Sequence, residues 1–161
     1  MKYVLMFFTF LSVCTTAELL QIPLTLDTTR TVTIPYGMEI FDEKITVSPS
    51  DDPDFQKYLD KIKGYTIESL SLSTTSSKAL LPTSSIFFFV EFPEYGFVTT
   101  KRETLFDGKE IVLDIPGDML VKMAESIQKN GSITMNVSGY TVNFSGGNID
   151  FKVKINLKIK V

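Results

Sequence analysis

Apolar and polar residues alternate with a period of two along most of this chain, and this pattern predicts half-buried β-strands. The alternating segments are rich in Val, Ile, Thr and Phe and are separated by turns that contain Gly, Pro or Asn. They lie at residues 20–26, 32–34, 45–47, 65–73, 85–92, 110–115, 132–140 and 149–161. Strands at this spacing predict a mainly β protein, an antiparallel β-sandwich formed by one domain at residues 18–161.

Two stretches have helical periodicity instead, at residues 52–62 and 117–131, and predict two short amphipathic helices. Their apolar faces consist of Phe55, Tyr58, Leu59 and Ile62 in the first stretch and of Leu120, Met123, Ala124 and Ile127 in the second. Asp51, Asp52 and Asp54 offer carboxylates at a spacing that also suits calcium. The glycine of a calcium loop is absent, however, and capping of the first helix explains these residues, so no metal site is predicted.

The N-terminus has the pattern of a secretory signal peptide. Lys2 is followed by an apolar run, "YVLMFFTFLSV", at residues 3–13. This run is shorter than the roughly 20 apolar residues that span a bilayer, and it has the length of a signal-peptide core. A buried first strand or helix is the alternative. The sequence therefore predicts export, with residues 1–13 as the signal peptide.

Cys14 is the only cysteine of the chain, and it follows the apolar run directly. Leu11-Ser12-Val13-Cys14 resembles the lipobox of bacterial lipoproteins. That resemblance implies that Cys14 begins the mature protein and carries the lipid that anchors it in a membrane. The alternative is cleavage after Ala17, which removes Cys14 and releases a secreted, soluble protein. In both cases no internal disulfide forms, because a bridge needs two cysteines.

Composition argues against catalysis and against nucleic acid as a partner. The chain has 16 Lys and Arg against 19 Asp and Glu, a net charge of −3, so no basic field is available for phosphate backbones. It has no histidine, which removes the commonest general base and transition-metal ligand. Ser126 and Lys129 match the Ser-x-x-Lys spacing of acyl-enzyme hydrolases, but the partner motifs of those enzymes are absent. We therefore predict a non-enzymatic protein with no catalytic residue and no cofactor.

Two aromatic stretches are candidates for binding. Phe87, Phe88 and Phe89 are consecutive, so both faces of their strand are apolar, which predicts a central strand covered on its other face by the helices. The alternative is that these three residues line a cavity between the sheets for an acyl chain or another apolar ligand. The second stretch places Phe92, Tyr95 and Phe97 around a Pro and a Gly, where a loop could present them as a surface aromatic contact, for example to sugars.

The C-terminal segment alternates apolar residues with lysines over residues 149–161. The lysines predict a solvated face that discourages pairing with other chains, with contact to anionic lipid headgroups as the alternative. Thirteen residues exceed the usual strand length, so a bend or bulge is expected.

The Cys14 region, "DFQKYLDKIKGYTIESLSL" at residues 54–72 and "DFKVKINLKIKV" at residues 150–161 resemble segments of small predicted lipoproteins from Bacteroidota-type bacterial envelopes. The resemblance implies a β-sandwich at the cell envelope, anchored to the membrane by its N-terminal lipid and facing the periplasm or the exterior, with no catalytic residue. The predicted function is a non-catalytic envelope module that contacts or scaffolds another envelope protein, and the alternative is a carrier of an apolar ligand. Sequons at Asn130, Asn136 and Asn143 leave a secreted eukaryotic protein open as well.

Overall fold

The computed structural model describes residues 20–36, 40–76, 84–103 and 108–161, without the side chains of residues 97–103. Cys14 and the predicted signal peptide lie outside the described residues. In chain order the elements are β1 (Gln21–Ile34), β2 (Ile40–Val47), a 3₁₀ turn (Pro49–Asp51), α1 (Pro53–Gln56), a second 3₁₀ turn (Leu59–Lys61), β3 (Gly64–Ser76), β4 (Ser85–Phe92), β5 (Phe97–Glu103), β6 (Glu110–Val112), α2 (Gly117–Asn130), β7 (Ile133–Val142) and β8 (Gly147–Lys160).

The strands form two four-stranded antiparallel sheets. The first sheet has the order β1-β8-β3-β6 and the second has the order β2-β7-β4-β5. Successive strands fall in different sheets except for β4 and β5, so the chain crosses repeatedly between the layers. Two four-stranded sheets connected in this way form a jelly-roll sandwich. The predicted mainly β fold, an antiparallel sandwich with two helices, is confirmed.

The core lies between the sheets and is built from the inward half of each alternating strand. β8 shows the pattern most clearly: Ile149, Phe151 and Val153 are fully buried, whereas Asp150 and Lys152 between them lie on the solvent side. The rings of Phe41 on β2 and Phe151 on β8 meet across the core, with centroids 5.1 Å apart. Period-two burial of this kind holds the two layers together, because each inward side chain leaves water on folding.

The first predicted helix is wrong in its length. Instead of one helix at residues 52–62, the chain forms the four-residue α1 and then the 3₁₀ turn Leu59–Lys61. Phe55 is fully buried, with its ring 6.4 Å from that of Tyr65, whereas Leu59 is 42% exposed. A helix this short is not stable without tertiary packing. Here Phe55 is fully buried and Tyr58 and Ile62 pack partly buried against the core, so tertiary contacts fix the segment without a continuous helix.

The second predicted helix is confirmed as α2, and it ends as expected at Gly131, whose φ of 73° is left-handed. Its buried residues include the predicted Met123, Ala124 and Ile127, while Leu120 is partly buried. α2 packs mainly against β3 of the first sheet.

The strands differ from the predicted ones in four places. β1 runs unbroken from Gln21 to Ile34, where the pattern predicts separate segments at residues 20–26 and 32–34. β5 (Phe97–Glu103) is an additional strand that begins where the pattern predicts an aromatic loop. β6 ends at Val112, short of the predicted residue 115, because Pro116 and α2 follow at once. The irregularity expected for the long C-terminal strand lies in its neighbour, where the register of β3 shifts between Ile67 and Ser69.

Candidate functional site

The structure divides the three consecutive phenylalanines of β4 between the two faces of the second sheet. Phe88 is 1% exposed and lies in the core. Phe87 and Phe89 lie on the outer face, where Phe87 is half-buried and Phe89 is 40% exposed. The predicted cover of this face by helices is wrong for the described residues, since α2 packs mainly against β3 and Phe89 remains in solvent. The three rings therefore do not face one common cavity.

Phe87 and Phe89 belong to an exposed cluster on this outer face, which we call the aromatic patch and define as Ile40, Phe87, Phe89 and Tyr140. Ile40 on β2 lies opposite Tyr140 on β7, which in turn lies opposite Phe87 on β4. The rings of Phe87 and Tyr140 stack with centroids 4.6 Å apart and planes 10° from parallel. Ile40 is 76% exposed and Tyr140 is 39% exposed. Three antiparallel strands thus align an apolar row on a solvent-facing surface.

Toward the other end of the sheet, the outward residues of β2, β7 and β4 are polar. The next row across the sheet places Asp42, Ser138 and Phe89 in register. The row after that consists of Lys44, Asn136 and Glu91, in which the Asn136 side-chain amide donates to the Glu91 carboxylate at 3.4 Å. The aromatic patch therefore occupies one end of the sheet and borders a hydrophilic surface.

The sequence singles out Phe87 and Phe89 as binding candidates, although as lining of a covered core or cavity. It does not single out Ile40 or Tyr140. Tyr140 shares its side of β7 with Thr134, Asn136 and Ser138, so it is an aromatic residue among polar ones. Ile40 directly precedes the buried Phe41, which places an apolar residue on the polar side of β2. Breaks in the alternation at these two positions were the available signal, although only the strand register brings them together.

The outer face of the first sheet is different, because three of the four lysines of β8 are paired with carboxylates. Lys152 on β8 contacts Asp27 on β1 at 2.8 Å, and Lys158 contacts Glu68 on β3. Lys154 lies 3.4 Å from the carboxylate of Glu110 on β6.

Glu110 also accepts a hydrogen bond from the buried hydroxyl of Ser71 at 2.7 Å. This bond, followed by the attraction of Lys154, lowers the pKa of the Glu110 carboxyl below its ordinary value. Lys152, Lys154 and Lys158 thus form a compensated, solvated ladder with acids of β1, β3 and β6.

The second predicted aromatic set is mostly built into the fold. Phe92 is fully buried, and Tyr95 is half-buried with its hydroxyl donating to the Lys122 carbonyl of α2 at 3.2 Å. Burial raises the pKa of the Tyr95 phenol. The Ser126 hydroxyl of α2 donates to the Glu94 carboxylate at 2.8 Å and so fastens the same turn. The side chain of Phe97 lies outside the described atoms.

The acidic cluster before α1 serves as a helix cap. The Asp52 carboxylate accepts hydrogen bonds from the backbone N–H groups of Asp54, at 2.8 Å, and Phe55, at 3.3 Å. Asp54 pairs with Lys57 at 2.6 Å, and this contact raises the pKa of the Lys57 ammonium group. Capping by Asp52 is confirmed. Among the described residues, no group of three or more acidic, cysteine or histidine side chains is arranged to hold a metal ion.

In the part of the chain that the structure describes, no helix is long and apolar enough to cross a bilayer.

Comparison with known proteins gives a likeness of fold. No family model and no curated protein matches the chain. The decameric BFDV capsid protein is similar, with a TM-score of 0.52 at 10% sequence identity over 87% of this chain and 99% of that chain. A chain of turnip yellow mosaic virus has a TM-score of 0.39 at 15% identity, covering 87% of this chain and 95% of its own length. A chain of Desmodium yellow mottle tymovirus has a TM-score of 0.33 at 11% identity, with coverages of 99% and 96%. The first of these supports the sandwich fold found here.

Proposed function

We propose that this chain is a non-catalytic module for protein–protein contact, and that its partner is a second copy of the same chain. The observation that carries the proposal is the aromatic patch, in which Ile40, Phe89 and Tyr140 expose large apolar surfaces at one end of a polar sheet face. Removing such surface from water is favourable by roughly 25 cal/mol per Å². Contiguous apolar patches with polar rims are typical of protein contact sites.

A second copy suits this patch because the same surface can meet itself about a twofold axis. At the centre of the patch the uncharged Ser138 of β7 is in register with Phe89, while Arg102 of β5 is in register with Phe87 at its border. Asp42 and Lys44 lie at the rim, where they keep their hydration when two patches meet. The capsid protein of similar fold is described as decameric, which supports self-association as one use of a sandwich of this shape.

The experiment compares the oligomeric state of the wild-type protein with that of Phe89→Lys by sedimentation velocity over a range of protein concentrations. We expect wild type to dimerise and Phe89→Lys to weaken that equilibrium by about tenfold or more, because a buried ammonium group would face the partner's apolar row. Val112→Lys is the matched control, since Val112 is 59% exposed on the first sheet. A wild-type protein that stays monomeric at all concentrations, or equal effects of the two variants, would contradict the proposal.

We further propose that the module is held at the bacterial cell envelope by lipid on Cys14. Leu20 precedes β1 and is 65% exposed, so a tether of six residues, roughly 20 Å when extended, would link the lipid to the sandwich. Intact mass of the membrane-bound protein should show a diacylglycerol and an acyl chain on Cys14, and Cys14→Ser should release the protein from the membrane fraction. A mature N-terminus at Glu18 would exclude the anchor.

A further inference from the structure

One edge of β3 is only partly covered by a neighbouring strand. β8 pairs along the other edge from Gly64 to Ser76. On this edge, β6 pairs with Ser71–Ser73, and the Leu113 N–H donates to the Leu70 carbonyl at 2.9 Å. Within the described parts of the chain, no strand pairs with residues 64–69 on this side. These six residues, about 20 Å long, therefore form an open sheet edge, which the register shift between Ile67 and Ser69 interrupts near its end.

Helix α2 runs beside this open edge and leaves a cleft of about 480 Å³ between them. One wall is formed by Tyr65, Thr66 and Ile67 of β3, and the other by residues of α2, namely Gly117, Leu120, Val121, Ala124, Glu125 and Gln128. The Gln128 side-chain amide donates to the Lys63 carbonyl at 3.3 Å, and this bond connects the C-terminal end of α2 to the start of β3. Val121 is 57% exposed, so the helix wall presents apolar surface that no described residue covers.

We propose that this cleft binds an extended peptide segment of another protein, which adds to β3 as an antiparallel strand. A row of backbone N–H and C=O groups is a template for one further strand. The added strand would run in the direction of β6 and continue the sheet where β6 turns away at Leu113. Because α2 itself packs against β3, the cleft can admit one segment at most. Alternate side chains of the segment would pack against Leu120, Val121 and Ala124.

The charges at the cleft define the chemistry of this segment. Lys160 lines the cleft at the end where β3 begins, and the backbone N–H of Lys63 donates to the Lys160 carbonyl at 2.7 Å. An antiparallel strand ends at that point, so an acidic residue or a free carboxylate at its C-terminal end complements the ammonium group of Lys160. Glu125 on the opposite wall suits a basic side chain earlier in the segment. The expected partner is therefore an extended peptide with alternating apolar residues and a negatively charged C-terminal end.

The probe is a displayed library of random ten-residue peptides with free C-termini, selected against the purified full chain and followed by synthesis of the recovered sequences. In the recovered peptides, β-branched residues should alternate with other residues. The peptides should end in an acidic residue, or their binding should require the free C-terminal carboxylate. On binding they should slow amide hydrogen exchange at residues 64–69. Methylation of alternate peptide nitrogens, which removes the strand hydrogen bonds, should weaken binding by about tenfold or more.

Val121→Arg should also weaken binding by about tenfold or more, because it fills the cleft with a charged side chain. Val112→Arg is its control, because Val112 lies outside the cleft and is 59% exposed, about as much as Val121 at 57%. Phe89→Lys should bind the peptide as wild type does, which separates this site from the aromatic patch. The proposal is overturned if no peptide is recovered, or if binding protects other amides or is unaffected by Val121→Arg. It is equally overturned if residues 64–69 become protected in the free protein as its concentration rises, since the occupant is then a second copy.

Discussion

Phe88 and Phe89 are neighbours in sequence, and the fold predicts that truncating them has very different consequences for stability. Phe88 is 1% exposed, so Phe88→Ala leaves a cavity in the core and should lower the free energy of unfolding by about 3–5 kcal/mol. Phe89 keeps 40% of its surface in solvent, so only roughly three fifths of a full burial, about 1–2 kcal/mol, is lost in Phe89→Ala. Water fills the space on the outer face, so no cavity cost is added.

Equilibrium unfolding in urea measures both values. The chain has no tryptophan, so the transition is best followed by far-ultraviolet circular dichroism. The measurement is made on dilute protein, so that association through the aromatic patch does not contribute, and equal slopes for the variants validate the comparison. Equal losses for Phe88→Ala and Phe89→Ala, or a larger loss for Phe89→Ala, would refute the assignment of the two rings to opposite faces.

Three further outcomes test other parts of the fold. Leu59→Ala should lower the unfolding free energy by less than about 1 kcal/mol, because Leu59 is 42% exposed. Phe55→Ala should lower it by about 3–5 kcal/mol, because Phe55 is fully buried. Similar losses for the two variants would favour one continuous helix with a buried apolar face. Gly139→Ala should cost about 3 kcal/mol in the same assay, since a Cβ there would overlap the Phe87 carbonyl and lie 2.9 Å from the Phe88 Cα; a neutral result would contradict the close approach of β7 and β4. Because the folded-state pKa of Glu110 is lowered, its ionised form stabilises the fold above its ordinary pKa and loses that effect as the pH falls through the folded value. Glu110→Gln should therefore flatten the loss of stability below about pH 5, and an unchanged acid titration of stability would count against the Ser71 hydrogen bond.

The strands could be predicted because their signal is local. In β8 each apolar residue is followed by a polar one, and this alternation by itself states which side chains enter a core. The same holds for the cap at Asp52 and the glycine that ends α2, since both depend on residues within one turn.

The pairing of strands could not be predicted in this way. β1 pairs with β8, and Gln21 lies opposite Lys160, so the first sheet joins the two ends of the described chain. Nothing in either segment alone specifies that partner. The aromatic patch has the same origin, because Ile40, Phe87 and Tyr140 come together only through the register of β2, β7 and β4. The cleft beside β3 depends in addition on β6 ending after three residues, where the sequence pattern predicted a longer strand.

The two edges of the first sheet differ in whether they can accept a further strand, and this difference bears on how the protein binds its partners. At the other side of the first sheet, β1 carries Pro23, which has no N–H to offer a further strand, and the Arg30 guanidinium lies 3.5 Å from Glu43 of β2. Both features discourage strand addition there, because one removes a donor and the other joins the edge to the second sheet. Association between copies is therefore expected through side chains of the aromatic patch and not by pairing of β1 edges. Strand addition is directed instead to residues 64–69, where α2 leaves room for one segment and prevents the sheet from growing further.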